Sequence, residues 1–144
     1  MAQISGIAHI QLAVSSMARS VPFYEKLLHA LEMVTVMHRP DFFYCVGGRT
    51  GVAISPAAPE HMREAANQRR PGLHHLCFRA KSRADVNAIH AVALELKANI
   101  IRAPLETGWA PGYYSVLFED PDGLRIEANH IPGKGLMDAS GKGA

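Results

Sequence analysis

The sequence predicts an α+β chain of two paired βαβββ modules that form a curved mixed sheet enclosing a cleft. Three observations carry that expectation. Strict alternation of apolar and polar residues runs straight into helical spacing, and it does so twice, at 7–31 and at 73–96. Each helical stretch is followed by short strand-like runs separated by turn residues. A shift of 66 positions, from His9 to His75, also pairs Leu12 with Phe78, Ser16 with Ser82 and Leu28 with Leu94.

In the first strand, 7–14, Ile10, Leu12 and Val14 line one face, and His9, Gln11 and Ala13 the other. Ser15 or Ser16 can cap the helix that follows, whose apolar stripe is Met17, Val21, Tyr24, Leu28 and Leu31. Pro22 lacks a backbone donor and disfavours a helical Val21, so the regular helix is expected only from about Ser20. Strands are expected at Met33–His38, Phe42–Val46 and Val52–Ser55, with turns at Pro40-Asp41 and Gly47-Gly48. The Pro-punctuated stretch 57–71 reads as a linker, with Glu60–Arg70 compatible with a helical turn or more.

The second half restarts at 73–80, with Leu76, Phe78 and Ala80 on one face and His75, Cys77 and Arg79 on the other. Ser82 caps a helix with the apolar face Val86, Ile89, Ala93 and Leu96. Strands follow at Asn99–Arg102, Tyr113–Phe118 and Leu124–Asn129, the last two joined by a Pro121-Asp122-Gly123 turn. A single domain is therefore expected over 1–131, with modules at about 4–56 and 72–131 and a mobile tail at 132–144.

Composition narrows the function classes. A 144-residue chain that is 48% hydrophobic can bury a core, and no apolar run approaches a membrane span. The N-terminus lacks the pattern of an export signal, which points to the cytoplasm. Cys45 and Cys77 are too few for a disulfide framework and read as two small buried thiols. With a net charge of +2 and scattered Lys and Arg, nucleic acid is not an expected partner; a small molecule is.

The repeat makes the alternation informative. Aligning Gly51–Ser55 with Gly123–Glu127 sets Ser55 opposite Glu127, just as His9 is set opposite His75. If the apolar faces pack under the helices, His9, His75, Ser55 and Glu127 lie on the concave face. Singly, each reads as a structural or solvent-facing residue. Together, two neutral imidazoles and a carboxylate suit a divalent first-row metal and leave coordination positions open. His74 and His130 point the other way; His29, His38 and His90 need no functional role, and His61 sits in the linker, from which it can reach over a site. Gln11, Arg79, Arg125 and Asn129 share the concave face, either to orient an anionic or hydroxylated substrate or as struts between strands. Trp109 and Tyr113 belong to the long loop around Ala103–Gly112, which is either a lid with an aromatic contact or a surface anchor.

On these residues the chain resembles the vicinal oxygen chelate superfamily, which includes glyoxalase I, bleomycin-resistance proteins, methylmalonyl-CoA epimerase, fosfomycin-resistance transferases and extradiol dioxygenases. The carriers are His9-Ile-Gln-Leu-Ala-Val14, Phe23-Tyr-Glu-Lys-Leu-Leu28, Gly72-Leu-His-His-Leu-Cys-Phe78 and Phe118-Glu-Asp-Pro-Asp-Gly-Leu-Arg-Ile-Glu127. The resemblance implies paired βαβββ modules, commonly in a homodimer, and matches His9, His75 and Glu127 to the family's metal ligands. Glyoxalase I and the epimerase carry a Glu or Gln where the alignment sets Ser55, which argues against their proton shuttling. The His-His-Glu set is similar to that of the dioxygenases and transferases. Their Tyr ten residues before the Glu is here Leu117, and Tyr113 and Tyr114 are out of that register, so no catalytic acid is assigned. The transferases' potassium loop and distal arginine are not evident in the tail. The resemblance thus implies one divalent ion (Fe, Mn, Ni or Zn) chelating neighbouring oxygens of a small substrate, with extradiol-dioxygenase-like chemistry preferred. The alternatives are a redox-neutral lyase, isomerase or transferase, and a metal-free drug-binding protein.

Overall fold

The computed structural model describes residues 1–133 and 135, and the chain divides into two units, Met1–Ala65 and a second from Ala66 onward. The boundary falls inside the stretch read as a linker. The expected tail from 136 on, with Lys134, lies outside the described residues.

In the first unit β1 (Ile10–Val14) leads into α1 (Met17–Ala30), then β2 (Val34–Arg39), β3 (Phe42–Gly47) and β4 (Thr50–Pro56). The sheet order is β1-β4-β3-β2, with β1 and β4 parallel and the other pairs antiparallel. Leu12, Val14, Phe43, Cys45, Val52 and Ile54 are buried, as are Phe23, Tyr24, Leu27 and Leu28 of α1. The helix is regular from Met17 rather than Ser20, and Pro22 lies within it. Its first turn is closed without Pro22: Ser16 Oγ accepts from Arg19 N at 3.3 Å, and Ser20 N donates to Ser16 O at 2.9 Å. Proline near a helix start removes one backbone bond, here the one Ala18 O would accept, and the buried apolar stripe compensates.

The second unit repeats the plan with β5 (His75–Arg79), α2 (Arg83–Glu95), β6 (Asn99–Glu106), β7 (Tyr114–Glu119) and β8 (Arg125–His130). Its order is β5-β8-β7-β6, again with the outer pair β5 and β8 parallel. Ser82 caps α2 through Asp85 N at 3.1 Å, and Val86, Ile89 and Ala93 are buried, as are Val116, Phe118, Ile126 and Ala128 of the sheet. The fold is α+β, two mixed four-stranded sheets each with one helix, as two βαβββ modules require.

Several boundaries differ from expectation. β1 begins at Ile10 rather than Ile7, so His9 lies just before the strand and is exposed, and β5 begins at His75 rather than Leu73. β6 continues to Glu106, past Pro104, because it is the sheet edge, where a missing donor breaks no ladder bond and register shifts absorb the ring. In the linker only Pro59–His61 forms a 3₁₀ turn, so the helix-compatible composition of Glu60–Arg70 yields no α-helix. Among the described residues no helix is long and apolar enough to cross a membrane.

Candidate functional site

The register of the second sheet sets its polar face out in rows. One row reads Arg102, Leu117, Glu127, Cys77 across β6, β7, β8 and β5. On one side lies the row Asn99, Glu119, Arg125, His75; on the other, Leu105, Ser115, Asn129, Arg79. The opposite face carries the buried residues that pack with α2. His75, Arg79, Arg125, Glu127 and Asn129 therefore share one face, as the alternation predicts.

The β7–β8 turn fixes that register. Asp120, only 7% exposed, accepts from Asp122 N and Leu124 N through Oδ1, both at 2.8 Å, while Gly123 takes a φ of 83°. A short acceptor bonding to its own downstream backbone is what holds such a turn, and the glycine removes the Cβ clash at positive φ. Sequence reasoning found the Pro-Asp-Gly signal but missed Asp120, whose position one residue earlier was the available clue.

Glu127 is 7% exposed and is the centre of the polar cluster. Its Oε1 accepts from the Tyr113 phenol at 2.7 Å, and its Oε2 lies 3.1 Å from His75 Nε2. Arg102 reaches across Leu117 to place Nη2 3.9 Å from Oε1. His75 in turn has its Nδ1 2.8 Å from Nδ1 of His74. Asn129 also hydrogen-bonds to the Tyr113 phenol. Burial, then the bond to Glu127, pushes the Tyr113 phenol well above its usual range, so it is a proton donor at neutral pH. Cys45 is buried as expected, but Cys77 is exposed; lost solvation among its packed neighbours, followed by the Glu127 charge, still pushes its thiol up to about 12. It is a thiol, not a thiolate.

A separation of 3.1 Å between His75 Nε2 and Glu127 Oε2 is met either by the neutral imidazole donating its Nε2–H to the carboxylate or by a metal ion that both atoms ligate. Metal–nitrogen and metal–oxygen bonds of about 2.1 Å at right angles set two donors about 3.0 Å apart. The His75–Glu127 pair thus fits two neighbouring ligand positions of a divalent ion. The His74 contact fits as well, since a ligating imidazole generally gives its other N–H to a neighbour. Sequence reasoning set His74 aside because its strand position points away; the contact depends on side-chain rotation, which alternation does not encode. Among the described residues no group of three or more His, Cys, Asp or Glu forms a ready metal shell.

In the first unit, Gln11 and Ala13 of β1 face Ala53 and Ser55 of β4 in register. Gln11 Nε2 donates to Ser55 Oγ at 3.0 Å, and His9 meets the Tyr44 ring edge-on with centroids 6.3 Å apart. Tyr44 lies against Gly51 so closely that a Cβ there would stand 2.5 Å from its ring.

These registers correct the Ser55 alignment. With His9 matched to His75, Gln11 corresponds to Cys77; Gln11 faces Ala53, and Cys77 faces Glu127. The counterpart of Glu127 is Ala53, which has no donor atom. Ser55 corresponds to Asn129, and Tyr44 to Leu117. Of the remaining candidates, Arg125 Nε lies 3.7 Å from Glu119 Oε1, and Trp109 is 76% exposed.

The family model for the glyoxalase/bleomycin resistance protein/dioxygenase superfamily matches residues 6–128. The chain belongs to this superfamily. Solved structures of the superfamily agree with it in fold. A provisionally assigned glyoxalase from Bacillus halodurans has a TM-score of 0.77 at 23% identity, covering 88% of this chain and 96% of the other. Lactoylglutathione lyase from Agrobacterium tumefaciens scores 0.64 at 19% identity, over 90% of this chain and 94% of its own. Fosfomycin resistance protein FosX from Mesorhizobium loti scores 0.64 at 19% identity, over 90% and 94%. At these identities the likeness establishes the superfamily fold and no particular reaction.

Proposed function

We propose that this superfamily member is a metal-dependent enzyme in which His75 and Glu127 hold a divalent ion, and that it cleaves a vicinal-diol substrate oxidatively in the extradiol manner. The observation that carries the reading is the His75 Nε2–Glu127 Oε2 separation of 3.1 Å, on a carboxylate otherwise buried. His9 is proposed as the third ligand on its motif alone. Superfamily members typically use a divalent metal, which supports the same assignment.

Ala53 favours an oxygenase over a proton-shuttling lyase. Moving a proton between two substrate carbons calls for a positioned base, and the place that mirrors Glu127 holds a methyl group. A bound iron ion would supply Lewis acidity and the redox partnership with dioxygen, with open positions for both reactants. The chain's own residues then do the positioning. Tyr113 ties down Oε1 and leaves Oε2 turned to His75. His74 fixes the His75 ring through Nδ1. Arg79, Arg125 and Asn129, on the same face, are proposed to orient the substrate; Gln11 and Ser55, already bonded to each other, are proposed to do so from the first unit, and Trp109 from the loop after β6. A homodimer belongs to the proposal through the family resemblance.

The reaction class is tested by loading iron(II) without oxygen and screening catechols by oxygen uptake, alongside thiol–aldehyde adducts on the Mn-, Ni- and Zn-loaded protein. Oxygen uptake with ring-opened product supports the reading. Turnover of the adducts with no oxygen uptake on any catechol would replace it with a redox-neutral lyase or isomerase.

A further inference from the structure

We propose that Arg102 is an anion-recognising residue of this site, so that the ligand carries a planar oxyanion, a carboxylate in the simplest case, beside its chelating oxygens. The inference rests on the reading of the Glu127 face as a ligand site.

Arg102 sits on the edge strand β6 and its side chain runs inward over Leu117 to the centre of the face, not out to solvent. Its Nη1 is fully buried and has no hydrogen-bond partner. Its Nη2 is 3.9 Å from Glu127 Oε1, too long for a hydrogen bond, and that oxygen already takes the Tyr113 proton. A guanidinium offers five donors, and burying them unmet is costly unless an acceptor arrives.

The two carboxylates on the face are engaged. Glu119 accepts from Asn99 at 2.9 Å and lies 3.7 Å from Arg125. Glu127 is held by His75 and Tyr113. Two guanidiniums are left with bonds to make, since Arg125 Nε is also buried without a hydrogen-bond partner, and Arg102 is the one that stands 3.9 Å from Glu127, a proposed metal ligand. The flat guanidinium fork matches a carboxylate in two parallel bonds, which a lone ammonium does not reproduce. A purely neutralising partner for Glu127 would discriminate nothing among ligands; an anion receptor would.

That difference gives the test. Pyruvate and methyl pyruvate share the same ketone and differ in the charge of one carboxyl group. Their binding to metal-stripped protein is measured by calorimetry for the unsubstituted chain, Arg102→Met and Arg102→Lys. The acid is expected to bind about 10- to 100-fold more tightly than the ester, as a charged hydrogen-bond pair implies. Arg102→Met should bring the two to parity, and Arg102→Lys should fall between. Parity in the unsubstituted chain overturns the proposal, even should Arg102→Met fail to fold. So does a full preference surviving in either variant. Because this comparison uses no metal, it stands apart from the metal reading, whose failure would appear as absent metal with the acid preference intact.

Discussion

The phenol of Tyr113 donates to one oxygen of Glu127 at 2.7 Å, while the other oxygen of the same carboxylate faces His75 at 3.1 Å. Tyr113 enters from the loop after β6, four residues earlier than Leu117, the strand residue opposite Glu127. Tyr113→Phe removes the donor and frees the carboxylate to turn. Metal affinity, measured against a chromophoric chelator, is expected to fall about 10-fold or more, as for other outer-shell partners. An unchanged affinity would show that Tyr113 packs without positioning.

His74→Ala tests the neighbouring contact in the same way. His74 is exposed, so thermal stability should barely change, while metal affinity drops by about 10- to 100-fold because the His75 ring loses its Nδ1 partner. Equal affinities would mean that the 2.8 Å contact between the rings has no hold on His75.

Gly51→Ala addresses the first unit. The added methyl group would meet the Tyr44 ring at 2.5 Å, and Gly51 is buried in β4. The expected loss is about 1–3 kcal/mol in denaturant unfolding, the usual range for overpacking. Adding Tyr44→Leu to the same chain should recover part of that loss; no recovery would place the strain elsewhere.

Asp120→Ala removes the acceptor that closes the β7–β8 turn. Two backbone donors, Asp122 N and Leu124 N, lose their partner, and stability should fall by about 1–3 kcal/mol. Asp120→Asn keeps an acceptor oxygen and should retain most of the stability. Equal losses in the two variants would point to the charge, not the turn bonds.

The fold was legible because it is written twice. Both helices carry a serine cap and a stripe at helical spacing, and a histidine stands at the same place of the sequence repeat in each half. Which face each residue takes was also legible, since alternation fixes it. The partner across the strand was not. A slip of one residue flips every side chain and breaks the pattern, but a slip of two leaves each on its own face. Ser55 and Ala53 both lie on the polar side of β4, so nothing in the alternation separates them. Arg102, His74 and Tyr113 escaped for a different reason. Their contacts depend on a long side chain crossing Leu117, on ring rotation, and on the path of a loop. The continuation of β6 through Pro104 follows from its edge position, which a linear pattern does not reveal.

The central claim is that His75 and Glu127 hold a metal ion. Elemental analysis of protein purified without chelator tests it directly, on the unsubstituted chain and on His75→Ala and Glu127→Ala. A bound divalent first-row metal is expected in the unsubstituted chain and its loss from both variants, with the fold retained by circular dichroism. Metal content that is unchanged in the variants, or absent from the unsubstituted chain after incubation with iron, manganese, nickel and zinc, would contradict it and leave a metal-free small-molecule binding protein as the better reading.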